Sequence, residues 1–133
     1  MIQFDVRTGA RTQVVDITGE VRQAVRELGM AEGVCTVFVP HTTAGITINE
    51  NADPSVVRDI INTLEKLVPY GADYSHSEGN ADSHVKASLM GSSVQVIVNE
   101  GRLQLGTWQG IYFCEFDGPR NRRVWVSVIK ADT

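Results

Sequence analysis

Residues 94–129, VQVIVNEGRLQLGTWQGIYFCEFDGPRNRRVWVSVI, form the stretch that decides the fold. Val94, Val96 and Val98 recur with period two, the mark of a half-buried strand. Glu100-Gly101 supplies a turn, and Leu103 and Leu105 begin a return strand. After Gly106, residues 111–116 read as another strand, residues 117–121 as a turn, and residues 124–129 as the strand that closes the sheet. Connections this short make most of the pairings antiparallel.

Outward from that stretch, Ile2, Phe4 and Val6 alternate, Thr8-Gly9 interrupts, and residues 13–17 resume, which predicts an N-terminal hairpin. Val21, Ala24, Val25 and Leu28 then share a helical stripe that opens after Thr18 as N-cap and fades at Gly29. Residues 34–39 read as a buried strand ended by Pro40, and HTTAG (residues 41–45) as a small-residue loop or bulge before a further strand. Asp53-Pro54 pairs an acidic N-cap with proline at the first helical position. Val57, Ile60, Ile61, Leu64, Leu67 and Val68 mark the amphipathic helix that follows, closed by Pro69. A polar, aperiodic loop over residues 70–81 leads to Asp82, which is placed to cap a short helix over residues 83–90. The fold class is α+β, a mainly antiparallel sheet or sandwich with two main helices plus one short helix. Residues 1–133 make a single domain.

Composition narrows the function classes. Hydrophobic residues at 42% and charged residues at 21% are ordinary globular usage, which excludes disorder, collagen and coiled coil. Sixteen acidic against 12 basic residues, a net charge of −4, argues against non-specific nucleic-acid binding. No apolar run approaches the ~20 residues that span a bilayer, and the N-terminus lacks the layout of an export signal. Cys35 and Cys114 sit in apolar stretches as small hydrophobes, so a reducing cytoplasmic location is expected.

His41, His76 and His84 all stand among small polar residues. Three imidazoles with one open position make a catalytic zinc-type site. Their spacing matches no metal motif, and three unrelated hydrogen-bonding histidines fit it as well. Glu50, Glu78 and Asp82 lie near them in sequence, where a carboxylate orients a histidine or acts as a base. Asp82 also reads as a helix cap and Glu78 as a solvated loop charge. Between Gly106 and Arg120, two glycines bracket Thr107-Trp108-Gln109, and Glu115 falls inside the apolar run IYFCEF, a costly place for an unpaired carboxylate. Arg120 is placed to pair with Glu115 or Asp117, and a structural salt bridge and a ligand contact stay equally open. Lys86 and Arg120 supply positive charge for an anion, and the start of the short helix adds favourable backbone N–H groups.

Three segments, HTTAGITINENADPSV (residues 41–56), HSEGNADSHVKASLMG (76–91) and GRLQLGTWQGIYFCEFDGPR (101–120), resemble the YjbQ family over essentially the whole chain. The resemblance implies an α+β fold rich in antiparallel strands, a homotrimer, and convergence of His41, His76 and His84. Glu50 and Asn51 match its ENAD segment, and Gln109 and Glu115 match its GTWQG…E segment. It also implies a secondary thiamine-phosphate synthase activity, which joins a pyrimidine diphosphate to a thiazole phosphate and releases pyrophosphate.

The expectation is a small-metabolite enzyme acting on a phosphorylated substrate. His41, His76 and His84 hold a divalent metal, Glu50, Glu115 and Lys86 serve the chemistry, and Arg120, Gln109 and Asn51 contact the ligand. Neutral imidazoles suit a zinc-like transition metal better than magnesium, which prefers oxygen. The alternatives are a metal-free phosphate or heterocycle site, and a non-enzymatic metabolite-binding trimer. No nucleic-acid or membrane partner is expected.

Overall fold

The structure, a computed structural model, describes residues 1–131. Within them the chain runs β1 (Ile2–Arg7), β2 (Gln13–Asp16), α1 (Thr18–Leu28), β3 (Gly33–Phe38), β4 (Ala44–Glu50), α2 (Pro54–Leu67), α3 (Ala81–Met90), β5 (Ser93–Asn99), β6 (Arg102–Leu103), β7 (Gln109–Glu115) and β8 (Asn121–Lys130). The strands form a five-stranded sheet in the order β1-β8-β3-β5-β6 and a three-stranded sheet in the order β2-β7-β4. Every ladder is antiparallel.

Period-two alternation turns Val37, Val96, Val98, Val124 and Val126 inward from the larger sheet, against Ile46, Ile111 and Phe113 of the smaller one. The apolar stripe of α1 adds Val21, Ala24 and Val25 to that core. On its other face the smaller sheet presents Tyr112, Cys114 and Phe116 to Ala87 of α3 and to Val57 and Leu64 of α2. The outer face of the larger sheet stays open: Phe38 stacks on Trp125 at 5.7 Å between ring centroids. Ile97 and Ile129, the cross-strand neighbours of Val34, are exposed there.

The expected N-terminal hairpin does not form. Ile2 pairs with Val126 in the larger sheet, whereas Gln13 pairs with Glu115 in the smaller one. The chain crosses between sheets through Thr8, which is buried. The 117–120 segment is likewise a sheet-to-sheet link, since β7 and β8 never pair. Alternation tells which face a residue takes and is silent about the partner strand.

Local starts and stops follow side-chain chemistry. The cap of α2 is as expected, with Pro54 first and Asp53 Oδ1 accepting the Ser55 N–H at 2.9 Å. At α1 the cap position falls to Ile17, and Asp16 does the capping by accepting the Thr18 N–H at 2.9 Å. Asn80 occupies the cap of α3, so Asp82 lies inside the first turn and does not cap it. Cys35 and Cys114 are buried thiols, and burial pushes them up to about 11 and about 12. Among the described residues, no helix is long and apolar enough to cross a membrane.

Candidate functional site

Beneath the site, an ion pair closes one end of the sandwich. Arg122, from the inner face of β8, donates Nε–H to Glu115 Oε1 at 2.8 Å, and its Nη2 meets the other carboxylate oxygen. Glu115 also accepts the Thr8 hydroxyl at 2.7 Å and the Asp117 N–H at 3.0 Å. Burial alone would raise the Glu115 carboxyl. The Arg122 bonds, aided by Thr8 and Asp117, outweigh it and hold the group below the usual range.

That pair in turn pins the loop before β4. Arg122 Nη2 donates to Thr43 Oγ1 at 2.8 Å, and the Arg123 backbone N–H donates to His41 Nε2 at 2.9 Å. An accepting Nε2 places the proton of the neutral ring on Nδ1. Burial first, and the charge of Arg122 second, lower the His41 pKa from 6.5, so the ring is neutral at pH 7. Gly45 then lets the strand pass close to α3. A Cβ there would stand 2.8 Å from the Gly91 carbonyl, to which the Ile46 N–H donates at 3.0 Å.

The first turn of α3 completes the arrangement. The Ser83 hydroxyl donates to the Phe116 carbonyl, and Asn80 Nδ2 donates to Asp117 Oδ2 at 2.9 Å. His84 is thereby set, half-buried, opposite the His41 loop. The walls include His41, Thr43, Asn80, His84, Arg120 and Arg122, around a cavity of about 590 Å³. A second cavity of about 490 Å³ also touches His41 and His84, with Thr42 and Ser92 common to both.

His76 lies beside this space. Its ring meets that of His84 edge-on, with centroids 5.0 Å apart and planes at 77°. Its Nε2 stands 3.7 Å from the Glu78 carboxylate, an exposed contact worth little. Among the described residues, no three His, Cys, Asp or Glu side chains form a group that could hold a metal ion. The three histidines therefore do not fit the expected metal within this chain. One nitrogen of His41 is taken by Arg123, and the other two rings meet edge to face.

Other expected site residues lie elsewhere. Lys86 is fully buried, with Nζ 2.8 Å from Glu65 and 3.0 Å from Asp82, so it faces no substrate anion. Asp82 also holds Arg11 at 2.9 Å. Glu50, Asn51 and Gln109 sit at the far end of the β4–β7 ladder, where Glu50 pairs with Gln109. Seven strand residues separate that end from the His41 loop, roughly 20 Å at about 3.4 Å per residue. There Asn51 N–H donates to the Trp108 carbonyl at 2.8 Å and Gln109 Oε1 accepts the Gly106 N–H at 2.7 Å, contacts that shape a turn. Arg120 does reach the cavity, half-exposed and paired with Asp117 at 3.0 Å.

Sequence reasoning passed over Arg122, Asn80 and Ser92. Arg122 carries a legible signal, because it shares the inward alternation of Val124 and Val126 and so had to find a buried partner. Asn80 is a standard N-cap type. Its Oδ1 is a buried acceptor without a partner among the described residues.

A family model described as "UPF0047 protein YjbQ-like" matches residues 2–131. The chain belongs to the YjbQ-like UPF0047 family. A UPF0047 protein of Methanocaldococcus jannaschii is 50% identical over 129 residues, covering 97% of this chain and 94% of its own. YugU of Bacillus subtilis, another UPF0047 protein, is 48% identical and covers 95% and 96% of the two chains. A YjbQ/UPF0047 crystal structure from Clostridium acetobutylicum superposes with a TM-score of 0.95 at 57% identity, covering 97% of this chain and 100% of that one. A hypothetical protein from Aeropyrum pernix K1 gives 0.92 at 39% identity, with 97% of each chain covered. The YjbQ-like fold is thus shared along the whole chain, while the two solved relatives are described as uncharacterised and hypothetical.

Proposed function

We propose that the paired cavities bind a small phosphorylated metabolite bearing a nitrogen heterocycle, and that His41 and His84 move protons on it. The observation that carries this reading is that both imidazoles border both cavities, although they come from separate segments. Spaces of about 590 and 490 Å³ are metabolite-sized. Neutral His41 offers its Nδ1–H as a donor, and half-buried His84 is the second imidazole on the cavity wall that can pass a proton. The half-exposed Arg120 guanidinium is the group for a phosphate. Asn80 and Asp117 add acceptors for ring amino groups.

The finer reading is thiamine-phosphate formation. The thiazole nitrogen attacks the methylene carbon of the pyrimidine diphosphate, the carbon–oxygen bond breaks, and pyrophosphate leaves. Arg120 holds the leaving charge and His84 protonates it. No step is assigned to a metal, because the imidazoles do not form a cage for one. We also propose that three copies assemble, supported by the open apolar face of the larger sheet, and that the protein works in the cytoplasm, where free thiols stay reduced.

Incubation with the two phosphates, read by pyrophosphate release, tests the proposal. Release is expected from the native chain, with a loss of about 100-fold in His84→Ala and a KM raised about tenfold in Arg120→Ala. No release and no thermal shift with either compound would overturn it in favour of a non-enzymatic module.

A further inference from the structure

A second cavity system lies at the other end of β3 and β5, between α1 and the β5–β6 hairpin. It encloses about 560 Å³ and is bordered by Arg22, Arg26, Glu100, Arg102 and Leu103. Arg22 and Arg26 are four residues apart on α1, hence on adjacent turns of one face. Arg102 faces them from β6. In a chain of net charge −4, three arginines border one space together with the single carboxylate of Glu100.

Most of the lysines and arginines, Arg22, Arg26 and Arg102 among them, make no ion pair within the described residues. Arg11, Arg120, Arg122 and Lys86 each hold a carboxylate. Arg26 only hydrogen-bonds Gln23 Oε1, at 2.8 Å. The hairpin that presents Arg102 is firmly held. Glu100 and Gly101 turn through positive φ of 52° and 75°, and the Gly101 N–H donates to the Ala31 carbonyl at 2.8 Å. Gln104 Nε2 bridges the carbonyls of Asn99 and Arg102 at 3.4 and 3.1 Å. Val25, buried, and Leu103, half-buried, give the space an apolar wall.

We infer that this cavity is a second anion site that takes a diphosphate group. Three arginines against one Glu100 leave a surplus of two positive charges. A single phosphate already matches that surplus in charge, whereas a diphosphate also presents two phosphoryl groups, one to the arginines of α1 and the other to Arg102 of β6. Guanidinium forks suit bidentate contacts to phosphoryl oxygens. The diphosphate is either free pyrophosphate or the tail of a nucleotide, whose ring would rest on Leu103. β5 separates this space from the histidine site by seven residues, roughly 20 Å at about 3.4 Å per residue.

Calorimetric titration of the full chain with pyrophosphate, and separately with ADP, tests the assignment at about 0.15 M salt, where diffuse surface attraction is screened. An Arg120→Gln background removes the phosphate contact of the histidine site. In it, binding is expected to persist and to weaken about tenfold or more in Arg22→Gln/Arg102→Gln, whose changes are exposed. Circular dichroism verifies that the variant stays folded. Tighter binding of ADP assigns the ring to Leu103, and equal affinities make free diphosphate the whole ligand. Either outcome supports the site. Absent binding, or binding indifferent to the Arg22 and Arg102 changes, would overturn it.

Discussion

Arg122 occupies an inward strand position flanked by valines, and the site is built upon its pairing with Glu115. Removing one partner of a buried pair strands the other charge without water. Arg122→Met is therefore expected to cost about 3–5 kcal/mol in urea denaturation, and a simultaneous Glu115→Leu to restore most of it. His41 carries a pH signature. Its folded pKa lies below 6.5, so the unfolded chain binds more protons in the window beneath that value. Stability is full above about pH 6.5 and declines as pH drops through that window toward the folded pKa. Melting curves across the window would show the slope, and His41→Asn would abolish it. Glu115 shows how far single residues can be read. Its place in IYFCEF demanded a partner, but Arg120 was nearer in sequence and Arg122 nearer in space.

Among the elements, helices were the most legible, because period 3.6 is local, although the caps of α1 and α3 fell one and two residues before Thr18 and Asp82. Asp53-Pro54 opened α2 as read. Strand pairing was opaque, since β1 and β2 carry the alternation of a hairpin yet join different sheets. α2 has no fully buried residue despite its apolar stripe. Its ties are Val57 and Leu64 against the smaller sheet and Glu65 on Lys86. An element held by so few contacts opens locally at low cost. In Lys86→Met, amide hydrogen exchange across α2 should accelerate about tenfold while β3 and β8 stay protected. Exchange that is unchanged in α2 would show that the Glu65 contact contributes nothing.

At the scale of the molecule, the histidines were linked by the family resemblance, since their spacing fits three unrelated side chains as well. His41 and His84 border the same cavities, and His76 lies beside His84. Glu50, Asn51 and Gln109 were drawn to them by motif order, which carries no distance; β4 then put its own length between the two groups. Assembly is a property of the whole surface. If the open sheet face joins copies, light scattering should give about three times the 14.6 kDa chain mass. Ile97→Lys with Ile129→Lys should return it to one, as charges at an interface core disfavour association.

The threading of the chain between its two sheets has a kinetic meaning. β1 must wait for β8, β2 for β7, and β3 for both β5 and β8, so few ladders close between strands adjacent in sequence. Loop-closure entropy opposes each of those distant unions before any packing rewards it. Such topologies fold in milliseconds to seconds. Until β8 docks, β1 and β3 expose bare edges, and refolding at high concentration is where aggregation competes with the native route.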